Sequence, residues 1–414
     1  MSRVAAALAG VAPGEALREG GPAVAGARPD ATVTPTSVEQ LAGVLKVASA
    51  QGFGVVPVGG GTDPGPVPPL EPFVVLSTRG LRGVETYEPA DLTMSAWAGT
   101  TLGEVGDVTG AHAQWLPFDP PSMPTRTLGG LAATGVRSPL CASYGAPRDH
   151  ILGLTLVTGD GRVLRLGGRV MKNVAGFDLV KLLVGSRGTL GVVVSVTVRL
   201  FPRPEREVAL VMEADRAEDL VAPARAVSTA PVLPASAVLA AGFRTTAAGG
   251  AARAASLVVR VAGAPRTVAA DAARLQAHVG GSFRTVEGVE AAALFEDLRD
   301  HAAAGEAVVR MASLPASVGD LLAAVAAVPG PVHVLADAMA GAVRMAAEGL
   351  SGEAWAELRG VAARLGGGCV LERGPLELLD VPGASPDDSR VEALTSELRA
   401  RFDPSGVLWR GRSP

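Results

Sequence analysis

The sequence predicts an α+β fold in two domains, and three observations lead there. A clear strand over residues 192–200 ends at Pro202 and Pro204, which mark a boundary between residues 1–204 and 205–414. Before that boundary, short apolar runs are separated by glycine-rich bends. After it, strand candidates alternate with Ala-rich amphipathic helices, the pattern of helices laid over a mostly antiparallel sheet. A chain of 414 residues is long enough for two or three domains of about 100–200 residues each.

The elements follow in order. Residues 1–30 read as a short helix and a loop. Ser37 and Gln40 have capping-box spacing, and Val38, Leu41, Leu45 and Ala48 recur at helical spacing, so a helix over 38–50 is expected, stopped by Gly52. Residues 53–58 read as a short buried strand, 73–76 as a second, and 84–97 as a hairpin. A short helix is expected over 101–108. Residues 117–150 are dense in Pro, Gly and Ser and predict little regular structure; so long a segment usually binds something. Residues 151–158 and 162–166 flank Asp160-Gly161, a strong hairpin signal, and 179–184 reads as a short helix. In the second domain strands are expected at 208–211, 256–261, 307–311 and 332–335, and helices at 268–279, 321–328, 353–365 and 391–401.

Composition narrows the function. The formal charge is −4 with no basic block, which argues against a nucleic-acid partner. Cys141 and Cys369 are too few for a disulfide framework or an iron–sulfur site, and fit a cytoplasmic protein. No run of 18 apolar residues predicts a membrane span, and the Ala-rich start, soon followed by Glu15, Arg18 and Glu19, only loosely imitates a signal peptide. Only three of the 37 basic residues are lysine, and Asn173 is the single asparagine. Asn173, Lys172 and Lys181 fall in one run, Lys172-Asn173-Val174-Ala175-Gly176-Phe177-Asp178-Leu179-Val180-Lys181. Two readings stand for it: a polar contact to a cofactor or loop, or local side-chain-to-backbone bonds that hold the segment.

Four polar-plus-glycine clusters carry the chemistry. In Pro57-Val58-Gly59-Gly60-Gly61-Thr62-Asp63, successive glycines let backbone amides converge on an anion, with the Thr62 hydroxyl as a further donor; a plain glycine turn is the alternative. The loop is not a dinucleotide G-x-G-x-x-G fingerprint, because Pro64 replaces the last glycine. The second cluster is Thr125-Arg126-Thr127-Leu128-Gly129-Gly130, continuing to Ala133-Thr134-Gly135. The third is Tyr144-Gly145-Ala146-Pro147-Arg148-Asp149, and the fourth Gly188-Thr189-Leu190-Gly191-Val192-Val193. Each is weak singly; in this order they describe a groove for a phosphate-bearing ligand.

Order and wording together resemble the PCMH-type FAD-binding domain of the vanillyl-alcohol-oxidase flavoproteins: P-V-G-G-G-T, T-x-T-x-G-G, Y-G-x-x-R-D and G-T-L-G-V-V stand in family order. The segment Gly167–Asp178 more narrowly resembles the E-type FAD-binding subunit of bacterial glycolate oxidases, and Phe402-Asp403-Pro404-Ser405-Gly406 fits that family's closing motif. The resemblance implies a two-lobed FAD-binding domain over 1–204 and an α+β cap domain over 205–414, whose tail, 380–414, returns to the first. It implies that Pro57, Val58, Gly59, Gly60, Gly61, Thr62 and Asp63 wrap the FAD pyrophosphate. Arg126, Thr127, Gly129, Gly130 and Thr134 would line the flavin, Gly191, Val192 and Val193 the adenine side, and Asp149 is carried over with the third cluster. With Gly-Gly-Thr-Asp where covalent members keep a flavin-linked His, it implies non-covalent FAD. One departure is Val136-Arg137-Ser138-Pro139, where relatives keep small residues.

The resemblance further implies oxidation of glycolate or another small 2-hydroxy acid beside a homologous catalytic flavin subunit and an iron–sulfur subunit, in the cytoplasm or at a membrane through partners. A self-sufficient dehydrogenase and a structural partner with a degenerate groove are the alternatives. The H-x-G-D-G-N metal motif of the hydroxy-acid-oxidising relatives is missing, so no metal is expected and no catalytic residue is assigned. His150 is the one histidine near a proposed site, with a structural role the simpler reading; Arg310, Arg344 and Arg373 are candidates for binding a carboxylate.

Overall fold

The computed structural model describes residues 2–24, 26–63, 70–168, 178–242, 254–379 and 389–408. Lys172 and Asn173 lie outside the described residues.

The chain opens with α1 (Arg3–Leu8), β1 (Leu17–Glu19), β2 (Ala31–Val33), α2 (Val38–Gln51), β3 (Gly54–Val58) and β4 (Phe73–Ser77). Their sheet has the order β1-β2-β4-β3, with β2, β4 and β3 parallel and β1 antiparallel at one edge. α2 starts where the Ser37 hydroxyl accepts from the Gln40 amide (3.1 Å) and stops at Gly52, whose φ of 72° suits glycine. Leu41, Val44, Leu45 and Ala48 line its buried face against Val33, Val55 and Val74. The strand β1 sits where sequence alone suggests a loop, and β2 just beyond it, where no element is expected; at three residues each they are too short for alternation to register.

A second lobe follows: β5 (Val84–Glu88), β6 (Thr93–Trp97), α3 (Leu102–Gly110), β7 (Gln114–Trp115), α4 (Leu128–Thr134), α5 (Cys141–Tyr144), α6 (Pro147–His150), β8 (Ile151–Val157), β9 (Val163–Gly167), α7 (Leu179–Leu183), β10 (Val192–Arg199) and β11 (Phe201–Pro202). Five strands form an antiparallel sheet in the order β5-β6-β10-β8-β9. The expected hairpins at 84–97 and 151–166 are both present. The stretch 117–150 is more regular than expected, because it contains α4, α5 and α6. β10 joins the lobes: Val193, Val196 and Val198 belong to the second core, Val192 and Val194 to the first.

The remainder is β12 (Arg206–Ala214), α8 (Val221–Ser228), β13 (Ser236–Ala241), β14 (Ala255–Gly263), α9 (Pro265–Val279), β15 (Arg284–Glu287), α10 (Gly288–His301), β16 (Ala307–Ala312), α11 (Val318–Ala326), β17 (Val332–Asp337), β18 (Ala342–Ala347), α12 (Gly352–Arg364), β19 (Gly368–Arg373) and α13 (Ser389–Phe402). Eight strands pair antiparallel in the order β15-β12-β14-β13-β17-β18-β16-β19. Side chains alternate across a strand, and the alternation divides this sheet. One face, with Leu257, Val259, Val309, Met311, Val343, Met345 and Leu371, is apolar and covered by α8, α9, α11 and α12. The other carries the small apolar cluster under α10 and a set of charged residues directed at the N-terminal lobes.

The end of the chain returns to the first lobe. The Val55 amide donates to the Val407 carbonyl (2.8 Å), and Leu408 bridges Val55 in parallel. The Asp403 carboxylate accepts from the amides of Val407 and Leu408 (3.0 and 2.9 Å), and the Gly159 amide donates to the Phe402 carbonyl (2.9 Å).

Candidate functional site

The first glycine loop leaves the end of β3 and lies against the segment leading into α4. A Cβ on Gly59 would overlap the Thr127 hydroxyl, and one on Gly60 would overlap the Thr125 carbonyl oxygen, so these positions admit nothing larger than glycine without movement. Gly61 has φ 72°. Thr127 caps α4, its hydroxyl accepting from the Gly130 amide at 3.1 Å. Gly129 lets α4 press onto the end of β6, its amide donating to the Ala98 carbonyl at 2.9 Å.

The loop's peptide groups are oriented from outside. Arg79 donates from Nε to the Gly59 carbonyl (3.1 Å) and from Nη2 to the Gly60 carbonyl (2.8 Å). Among the described residues, the amides of Gly60, Gly61 and Thr62 donate to no protein acceptor. Free amides on successive residues of a glycine loop are what a phosphate requires.

The fourth cluster closes on the same place. The Gly188 bend packs on the Pro57 ring, the Arg187 amide donates to the Ala133 carbonyl at the end of α4 (2.7 Å), and the Arg187 side chain stands 3.8 Å from Asp63. Gly191, at φ 151°, abuts Leu156, where a side chain would not fit. Val192 and Val193 are core residues, so only their backbone is available to a ligand. Thr134 bonds back to the Gly130 carbonyl (2.8 Å). The third cluster stands apart: Asp149 is exposed and caps its own turn by accepting from the Ala146 amide (2.9 Å), and Tyr144 packs against Trp115 and Phe201.

Opposite the loop stands the charged face of the eight-stranded sheet. Arg310 and Arg344 are directly paired across β16 and β18, an unfavourable juxtaposition that Glu372 offsets. Glu372 is 7% exposed; its carboxylate accepts from Arg344 Nε at 2.8 Å and lies 3.3 Å from Arg310. A β-bulge makes this possible. Val309 pairs with Leu371 and Val308 with Arg373, so Glu372 is the extra residue, and both Glu372 and Arg373 turn toward the cleft. Arg373 then reaches the Thr62 carbonyl (3.3 Å) and the Ala303 carbonyl (3.2 Å). Burial pushes the Glu372 carboxyl upward, but Arg344 and Arg310 outweigh it and hold it below the usual range.

Arg126 completes the cleft from the other side. It is 3% exposed, its Nε donates to the Pro121 carbonyl (3.1 Å), and among the described residues neither terminal nitrogen has a protein partner. Burial lowers its pKa, the Asp63 carboxylate counters that, and Arg344 adds to the lowering. A buried guanidinium with two uncommitted nitrogens facing another arginine suits an anion.

His150 plays no part in the cleft. It is 2% exposed, bonded through Nε2 to the Tyr144 carbonyl (2.7 Å) and packed between Phe118 and Phe201; burial depresses its pKa. Asp178, in the run around Asn173, accepts from the Lys181 amide (3.3 Å), a local bond that starts α7. Among the described residues, no group of three or more His, Cys, Asp and Glu side chains is placed to hold a metal, and no helix is long and apolar enough to cross a membrane. Arg79, Arg187 and Glu372 are site residues that sequence reasoning misses; in a chain whose basic residues are nearly all arginine neither arginine stands out, and nothing near Glu372 in sequence marks it.

A glycine loop with free amides on one wall and arginines on the other is the context in which the family comparison decides the ligand. The model of the FAD binding domain family matches residues 29–167. Residues 29–167 are thus similar to FAD binding domains. FAD is therefore the cofactor, and the geometry fits it: the free amides suit its phosphates and the glycines leave room for close approach. The glycolate oxidase subunit GlcE of Escherichia coli is 40% identical over 136 residues, 33% of this chain and 39% of that protein. The D-lactate dehydrogenase of Archaeoglobus fulgidus is 37% identical over 173 residues, 41% of this chain and 38% of that protein. The chain thus spans about two fifths of the length of these curated relatives. Among solved structures, an alkyldihydroxyacetonephosphate synthase superposes with a TM-score of 0.66 over 93% of this chain and 76% of the other at 17% identity, a likeness of fold that extends beyond the FAD-binding domain.

Proposed function

We propose that this chain holds FAD non-covalently and serves as the FAD-binding subunit of a glycolate oxidase-type complex that oxidises a small 2-hydroxy acid, beside a homologous catalytic flavin subunit and an iron–sulfur subunit. The observation that carries this reading is the cleft between the glycine loop and the bulged edge of the eight-stranded sheet. There the free amides of Gly60, Gly61 and Thr62 adjoin Arg126, and Arg344 stands opposite. The loop 57–63 would hold the pyrophosphate, with Arg126, Thr127, Gly129, Gly130 and Thr134 beside the flavin and the backbone of Gly191, Val192 and Val193 beside the adenine. The first loop contains no histidine to bond the flavin. FAD, when bound, supplies a hydride acceptor; the protein supplies binding, orientation and electrostatics.

Arg126 and Arg344 would receive the carboxylate of a hydroxy acid, with Glu372 keeping Arg344 in place. Those arginines also favour a second reading, in which this chain turns over the hydroxy acid by itself. One experiment separates the readings. The purified chain is desalted, its visible spectrum is recorded, and glycolate or D-lactate is added without oxygen. A flavin spectrum that survives desalting and is released by acid supports the cofactor assignment. Perturbation of that spectrum without bleaching supports the subunit reading, whereas bleaching supports the self-sufficient one. A chain that takes up no flavin even after soaking with FAD sinks both. Arg344→Met is expected to weaken the hydroxy-acid perturbation by about tenfold or more, the scale of a lost charge-assisted bond.

A further inference from the structure

We infer that Arg79 is the positioning residue of the FAD phosphate site: its guanidinium binds the loop's own carbonyls and sets the direction in which the loop presents its amides. This inference rests on the cofactor reading above and concerns a residue outside every motif that supports that reading. Two consecutive carbonyls, of Gly59 and Gly60, are taken by one guanidinium, from Nε at 3.1 Å and Nη2 at 2.8 Å. A trans peptide is planar, and its N–H points opposite to its C=O. Fixing the Gly59 carbonyl therefore aims the Gly60 amide away from Arg79, and fixing the Gly60 carbonyl aims the Gly61 amide the same way. Neither of those two amides has a protein acceptor among the described residues.

Glycine makes the clamp necessary. Gly59, Gly60 and Gly61 can populate both signs of φ, so a free loop would flip its peptides and scatter its donors. Packing against Thr125 and Thr127 fixes where the loop lies, while the guanidinium fixes how its peptides are rotated. The planar fork of Arg holds two acceptors in one fixed geometry, which the rotatable ammonium of Lys does not. A cation on the carbonyl side also polarises each peptide so that its amide end becomes more positive. Arg79 itself is exposed, and the 3₁₀ turn that carries it, Thr78–Gly80, follows directly on β4, so the clamp stands on the sheet beside the strand that feeds the loop.

The test uses the full-length apo-protein titrated with FAD, followed by flavin fluorescence, with ADP as a competing probe that keeps the pyrophosphate and lacks the flavin. Arg79→Ala and Arg79→Gln are expected to raise the Kd of FAD about 10- to 100-fold and that of ADP in the same proportion, from the loss of two hydrogen bonds to a charged group. Far-UV circular dichroism and the melting temperature of the apo-chain should stay unchanged. Millimolar ethylguanidinium should restore part of the FAD affinity of Arg79→Ala, because the position is open to solvent; a merely structural role would not respond. If Arg79→Ala lowers the apo melting temperature, Arg79→Lys decides, with an expected loss of about tenfold at unchanged stability. FAD and ADP binding by the variants within twofold of the natural chain overturns the inference. Failure of the natural chain to bind FAD overturns the cofactor reading instead.

Discussion

The two walls of the cleft are built by opposite means. On the N-terminal side the surface is backbone: amides of a glycine loop, rotated by Arg79 and packed on Thr125 and Thr127. On the C-terminal side it is side chain: Arg310 and Arg344 disposed around Glu372 at a bulge, with Arg373 reaching across to the Thr62 carbonyl. The first wall depends on conformation and is vulnerable to any added atom. The second depends on balanced charge and is vulnerable to the loss of one partner. Substitutions at the two walls should therefore fail differently.

The largest effect belongs to the backbone wall. Gly60→Ala would drive a methyl group into the Thr125 carbonyl and the Arg126 backbone, neither of which can step aside as a flexible side chain would. We expect the Kd of FAD to rise by about 100-fold or more, equivalent to two powers of ten in binding, in the same fluorescence titration. A change of less than threefold would mean that the loop repacks freely and that the wall is not conformational. Gly59→Asp should also abolish binding, but the new side chain meets Thr127 before it meets any phosphate, so it reports displacement of the loop as much as charge.

The charge wall is tested by Glu372→Gln. Removing one partner of a buried ion pair costs about 3–5 kcal/mol because the other charge is left unpaired, and Arg310 and Arg344 would then face each other without relief. Urea unfolding should show that loss, and Glu372→Gln combined with Arg344→Met should recover part of it. The pH dependence has a definite sign. The folded carboxyl of Glu372 titrates below its unfolded counterpart, so its contribution is fully present above the unfolded value and fades as pH falls through the folded one. The difference between Glu372 and Gln should shrink in acid and stay constant near neutrality. Equal stability of the two proteins at pH 7 would break the comparison between the walls.

A smaller effect, of the opposite sign, belongs to Asp337 at the end of β17. Burial, partly offset by the amides of Ala340 and Met339 that donate to its carboxylate, raises its pKa to about 6 from 3.8. The folded protein thus binds a proton that the unfolded chain releases, and stability falls as pH rises from about 4 to about 6. Asp337→Asn keeps an acceptor for both amides and should stabilise the protein by about 1–3 kcal/mol at pH 7.5, with no gain at pH 4. A gain that persists in acid would show that the charge of Asp337 is not the cause.

How far the sequence could be read differs between the walls for the same reason. Glycines at 59–61 and the Thr127 cap announce themselves, because few residues can replace them. The helices and the 84–97 and 151–166 hairpins follow from periodicity and turn chemistry. Half of the strands in the eight-stranded sheet escape notice: Ser236–Ala241 and Ala342–Ala347 are each half alanine, which marks no strand. Arg79, Arg187 and Glu372 are ordinary in a chain rich in charged residues of these types; the carbonyls of Gly59 and Gly60, the Asp63 carboxylate and the bulge beside Arg344 give them meaning, and all are features of the fold. Arg310, Arg344 and Arg373 were visible as candidates, but not as neighbours. His150 was close in sequence to the third cluster, yet the rings of Phe118 and Phe201 enclose it.

The return of the chain's end to β3 has a consequence for biogenesis. β3 is the edge strand of its sheet and the stem of the glycine loop, and the residues that cover that edge, Val407 and Leu408, are made almost a whole chain later. A ribosome making this protein would leave the glycine loop on an unfinished edge throughout synthesis of the eight-stranded sheet, until Val407 and Leu408 cover it. The lobe around β3 is thus completed only after the eight-stranded sheet has been made.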